Sequence, residues 1–171
     1  DLLINGGFMK PKIFYLLTTF VFFAVIASFL FGGGSAKVDY PEGYRDWTHV
    51  KTLILEPGHT LYEAFGGIHH IYANKKALEG YKNGNKFKDG SVIIFDLLET
   101  VSADKAIAEG NRKVVGVMQK DSKKFKETGG WGFEGFKGDT KERVVKDMYA
   151  DCFACHTSEK DNDYVFSKYR K

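Results

Sequence analysis

From residue 47 onward the apolar positions fall in short runs divided by glycine-rich breaks, a pattern of strands more than of helices. Trp47 to Leu55 places Val50, Leu53 and Leu55 among polar residues and predicts a first strand, which Pro57-Gly58 ends. Gly66-Gly67 introduces a second, Ile68-His69-His70-Ile71-Tyr72, with a histidine on each face. Asn74 is placed to cap a helix over Lys75 to Tyr81, which Asn83-Gly84 stops. Past the Asp89-Gly90 turn, Ser91 to Leu98 is apolar at nearly every position, so both of its faces must be covered. Ala106 to Glu109 reads as part of a loose excursion. Lys113 to Gln119 is the next strand, and Gly116 within it marks a bulge or the close approach of another group. Asp121 or Ser122 starts a short helix to Phe125. Trp131 to Phe136 carries large aromatics at alternate positions, and Thr140 opens a helix that runs to Ala150. The pattern predicts an α+β fold of about five strands with a few short helices. It excludes a four-helix bundle, which needs long amphipathic segments that are not here.

The first 36 residues read differently. Residues 1–8 precede the first methionine as an upstream extension. Lys10 and Lys12 then form a positive region ahead of a charge-free apolar run over residues 13–31, and small residues follow as far as Ala36. This is an export signal with a cleavage point after Ala36. The run is also long enough to span a bilayer, so an uncleaved anchor is the alternative. Either way the folded domain, 37–171, is expected outside the cytoplasmic membrane: periplasmic, free or tethered to the inner membrane. Without residues 1–36 the formal charge is +2 rather than +3, with both signs interspersed, which argues against a nucleic-acid partner.

Both cysteines of the chain lie in Cys152-Phe153-Ala154-Cys155-His156. C-x-x-C-H is the attachment signature of c-type haem: two thiols become thioethers on the haem vinyls and the adjoining imidazole becomes an axial ligand. A structural zinc site would need four protein ligands, and no second Cys pair or H-x-x-x-H partner is present. A thioredoxin-like pair belongs in a βαβ pattern that is missing, and a disulfide here would close only a tiny loop. The expectation is therefore one haem c, bound through Cys152 and Cys155, with His156 on the iron.

Any second axial ligand must come from upstream, since no Met or His follows His156. Met118 sits mid-strand, where a core methionine is the commoner reading, and Met148 is so close to the motif that packing is its natural role. Of His69 and His70, one must face inward if their strand is half-buried, and a core or rim histidine is a commoner fate than a ligand. His49 is expected to be exposed and His59 to lie in a turn. These readings leave a five-coordinate iron with an open distal face lined by aromatics. An open position favours small diatomic or nitrogen-oxide ligands over simple electron transfer.

Several segments in order resemble the cytochrome P460 / cytochrome c′-beta family of exported mono-haem proteins. They are Tyr44-Arg45-Asp46-Trp47, Ile71-Tyr72-Ala73-Asn74, Phe87 to Val92, Lys120 to Phe125, Gly130-Trp131-Gly132-Phe133, Cys152 to His156 and Asp163-Tyr164-Val165-Phe166. The resemblance implies an antiparallel sheet with flanking helices, often a homodimer, and His156 as proximal ligand. It implies two functional types. P460 members cross-link a strand lysine to the porphyrin and oxidise hydroxylamine or nitric oxide, whereas c′-beta members lack the link and bind nitric oxide or related gases. In this chain the lysine position reads Phe95, and Lys86 and Lys88 lie before the turn. An acidic distal residue is implied for the oxidising type, with Glu134 the nearest candidate and Asp147 a second. His69, His70 and Glu134 are thus the candidate proton acceptors of an oxidoreductase. An electron carrier ligated by Met118 or a distal histidine, with a redox partner protein, is the remaining alternative.

Overall fold

The structure is a computed structural model that describes residues 37–170; the leader and its cleavage point lie outside them. Five strands form one antiparallel meander in the order β1-β2-β3-β4-β5. They are β1 (Thr48–Leu55), β2 (Gly67–Ala73), β3 (Val92–Ala103), β4 (Ala106–Lys120) and β5 (Trp131–Lys137). Between them lie α1 (Tyr62–Phe65) and α2 (Lys75–Lys82). Asn74 caps α2 as its side chain predicts, accepting from the Ala77 amide at 2.9 Å.

The irregular spacing of Val50, Leu53 and Leu55 has a simple cause. Val50 is skipped in the β1–β2 ladder, so the strand turns over by one residue there. The bulge brings Val50 onto the same face as Leu53 and Leu55, and it is buried there.

Each face of the sheet carries its own core. One packs His69, Ile71, Ala73, Ile93, Phe95, Met118, Trp131 and Phe133 beneath α2 and the C-terminal segment. The other packs Ile94, Val115, Val117 and Phe136 beneath Val38, Tyr44 and Phe125. The continuous apolar run of β3 is thereby covered on both sides, as its composition requires.

Three local expectations are corrected. Ala106 to Glu109 is not an excursion but the first part of β4, laddered from Ala103↔Ala106 to Thr100↔Glu109. Asp104 and Lys105 form its two-residue turn, both with positive φ (51° and 63°). That is the turn a tight hairpin requires, made without the Asn-Gly or Asp-Gly pair that would have announced it. The helix expected from Asp121 or Ser122 to Phe125 is one turn only, held by the Asp121 carboxylate on the Lys123 and Lys124 amides. The helix expected from Thr140 is extended as far as Asp147. Its backbone runs back along β5, with Val144 N–H donating to Gly135 at 2.9 Å and Lys137 N–H to Glu142 at 2.9 Å. Covering the free edge of β5 satisfies more backbone groups than an isolated helix would, and Val144-Val145 suits an extended path.

Candidate haem site

Helical geometry begins only beyond Asp147. The Asp147 carboxylate accepts from the Tyr149 and Ala150 amides, and Asp151 reaches back to the Lys146 and Asp147 amides. A π-turn over Tyr149–Phe153 then passes into α3 (Ala154–His156). The wide turn, closed by Ala154 N–H on the Tyr149 carbonyl, is a form of helix that concentrates at functional sites. It presents Cys152 half-buried and Cys155 exposed, both as free thiols. Burial pushes the Cys152 thiol up to about 11, with Asp151 and Glu134 adding to the effect.

Phe153 anchors the segment, packing on Phe133, Tyr149 and Tyr164. His156 follows and lies between Phe133 (4.8 Å between ring centres) and Phe166 (5.0 Å). Its Nδ1 sits 2.7 Å from the Tyr164 carbonyl oxygen. A carbonyl can only accept, so Nδ1 carries the proton and Nε2 keeps its lone pair. Burial lowers the pKa of this imidazole and keeps it neutral. A neutral histidine whose far nitrogen is tied to a carbonyl is the arrangement expected of a metal ligand.

The sheet under this segment is incompletely packed. On the opposite face Val115 and Val117 are fully buried, whereas on the near face Val114, Gly116 and Met118 of the same strand are only half-buried, as is Phe95 beside them. An apolar strip left half-open next to two free thiols and an oriented imidazole fits a large flat apolar group. Thiols, imidazole and strip together fit a haem, and Cys152, Cys155 and His156 are the residues that could hold it. Among the described residues no group of three or more His, Cys, Asp or Glu is placed to hold a bare metal ion.

The remaining candidates separate by face. Phe95 projects onto the near face with His69 4.6 Å away and Phe65 5.9 Å away, ring centre to ring centre. His69 is 4% exposed and donates from Nε2 to the Phe65 carbonyl, leaving Nδ1 as its basic atom; burial lowers its pKa. Phe133 touches the motif directly. Trp131 is fully buried against Phe87, with its indole N–H directed to Asp163, and serves as core beside the motif. Met118 packs into the same core.

His70 and Glu134 are not brought to this face. His70 alternates with His69 and meets Thr52 at 2.8 Å, which in turn meets the exposed His49. Glu134 alternates with Phe133, pairs with Arg143 at 2.6 Å and accepts from the Gly135 and Val145 amides. Asp147 is committed to capping. Lys86 and Lys88 precede β3, away from the Phe95 position.

Two features could not be read from residue types alone. One is the tie between His156 and Tyr164. The other is Asp96, which interrupts the apolar run of β3 and is fully buried on the far face, held by Arg112 at 2.7 Å and approached by Arg45 at 3.8 Å. A lone acid in an apolar strand was the signal for that pair.

The family profile described as cytochrome P460 matches residues 41–167, nearly all of the described domain. Comparison with curated proteins gives no match. With the five-stranded antiparallel sheet, the free thiols and the oriented imidazole in place, the match is decisive: this chain belongs to the cytochrome P460 family and is a c-type haem protein.

Proposed function

We propose that the protein carries a single haem attached through Cys152 and Cys155, with His156 Nε2 on the iron and a small nitrogen-oxide ligand such as nitric oxide taken on the other side. The observation that carries this is the neighbourhood of Phe95. It is half-buried between the buried Ile93-Ile94 and Asp96-Leu97-Leu98 of β3, and what surrounds it is Phe65, the apolar strip of β4 and a histidine already bonded elsewhere. The rings that touch Phe95 offer no free donor to anionic or strongly polar ligands, and Lys113, whose charge bears on His69, has its ammonium on the Gly66 carbonyl at 2.8 Å. Such a wall admits neutral diatomics, and distal polarity is what decides between binding, activation and electron transfer.

When bound, the haem supplies an iron that can bind and exchange electrons with such ligands. The chain's own residues do the rest. Tyr164 orients His156, Phe133 and Phe166 hold the ring in place, and Phe95 limits water and ligand access.

A second reading is an oxidoreductase acting on hydroxylamine or nitric oxide. His69 favours it: the residue is neutral, buried and beside Phe95, with Nδ1 able to accept a proton. Export fits both readings, because the apolar run over residues 13–31 and a C-x-x-C-H motif belong to the same compartment.

The test is spectroscopic, on protein matured in a host that attaches haem c. Covalent haem on a denaturing gel, with a ferrous spectrum that shifts on adding CO or NO, is the expected result. A ferrous spectrum indifferent to both gases means a sixth protein ligand and an electron carrier. A ferrous Soret band moved towards 460 nm (the wavelength in the family's name) means a lysine link and the oxidising type.

A further inference from the structure

Asp163 and Tyr164 follow the haem motif and share an unusual backbone. Both lie in the left-handed region, at φ 50° and 64°, and neither is glycine. Two such residues in succession are disfavoured by the clash of Cβ with the carbonyl, so something must hold them there. Three donors from three separate parts of the chain do so. The Lys120 ammonium at the end of β4 meets Asp163 Oδ1 at 2.6 Å, and the Trp131 indole N–H at the start of β5 reaches the same oxygen at 3.4 Å. The Phe87 amide, before β3, donates to Oδ2 at 3.3 Å. Lys120 is itself fixed by the Gly129 carbonyl at 3.0 Å and by the Trp131 ring 4.9 Å away. The Tyr164 ring lies against Gly129, where a Cβ would come within 2.2 Å of it.

The outcome of this clamp is the direction of one carbonyl. The Tyr164 C=O that the double left-handed turn aims inward is the one that accepts from His156 Nδ1 at 2.7 Å. We propose that Asp163, held by Lys120, is a positioning residue for the proximal histidine, setting the strength of the His156 Nδ1–H bond and through it the electron donation of Nε2 to the iron. The inference rests on the haem reading above. It follows from the rule that the partner of a ligand's other nitrogen tunes the metal.

The test compares wild type with Asp163→Ala, Asp163→Asn and Lys120→Met as holoproteins, by resonance Raman of the ferrous iron–histidine stretch and by reduction potential. Weakening the Nδ1 bond makes the imidazole a poorer donor. Asp163→Ala and Lys120→Met should therefore each lower the stretching frequency and raise the potential. Asp163→Asn, which keeps one acceptor oxygen, should fall between wild type and alanine. If Asp163→Ala does not accumulate, Lys120→Met carries the same prediction. A lowered melting temperature with stretch and potential unchanged would show a purely structural clamp and overturn the proposal. Should the wild type bind no haem, the haem reading fails by itself. The positioning claim is then read from the ¹⁵N shifts of His156, as a single Nδ1–H tautomer in wild type and a mixture in Asp163→Ala. A single tautomer in both would overturn it.

Discussion

The Phe95 ring lies directly over Gly116 across the β3–β4 ladder, its Cδ1 3.1 Å from where a Cβ at Gly116 would stand. The glycine in β4 is there because an aromatic on the neighbouring strand occupies its space. Gly116 needs no special backbone conformation, so Gly116→Ala tests the contact alone. The added methyl should displace Phe95 by a few tenths of an ångström, cost about 1–2 kcal/mol in thermal unfolding, and change the CO association rate. An unaltered rate would separate Phe95 from the ligand path.

Removing the ring is the complementary experiment. Phe95→Ala should destabilise by roughly 2–4 kcal/mol, at the lower end for a half-buried phenylalanine, and should speed CO binding to the ferrous protein. Stopped-flow mixing after a denaturant melt gives both numbers from one preparation.

The two thiols should differ before haem is attached. Cys152 is half-buried with its thiol held up at about 11, so it stays protonated at neutral pH, whereas Cys155 is exposed. Iodoacetamide should alkylate Cys155 first in the apo-protein, as read by peptide mass mapping. In the mature protein His156→Ala should keep the thioethers but lose the normal ferrous spectrum; a normal spectrum would contradict its assignment as ligand.

On the far face, Asp96 and Arg112 form a buried pair. Arg112→Leu leaves the Asp96 carboxylate with the more distant Arg45 as its remaining cation among the described residues, and should cost about 3–5 kcal/mol. Urea unfolding measures it, and haem content should be unaffected if the two faces act separately.

His69 predicts the acid limit. Its folded pKa lies below the ordinary value of about 6.5 because burial disfavours the charged ring. The unfolded chain therefore binds the proton more tightly. The contribution to stability is complete above that ordinary value and drains away as the pH falls towards the folded one. His69→Gln should flatten the melting temperature between pH 7 and 5 relative to wild type.

The haem motif, the cap at Asn74, the inward turn of one histidine of the pair and the doubly covered third strand were all legible in the order of residues. Each depends on local chemistry or on the two-residue period of a strand, which neighbours in sequence express directly. The hairpin tip at Asp104-Lys105 and the extended path of residues 140–147 were not. The first uses a turn without its usual residues, and the second is decided by the open edge of β5, which exists only once the sheet has formed. The same holds at the site. Residue types alone named Cys152, Cys155 and His156 as candidates, but which side of the sheet Glu134 faces depends on register. The direction of the Tyr164 carbonyl depends on a lysine, a tryptophan and an amide that meet only in three dimensions. Sequence determined what chemistry the chain could carry; tertiary structure decided which groups stand close enough to act on it, because hydrogen bonds and ring contacts act over a few ångströms whatever the separation along the chain.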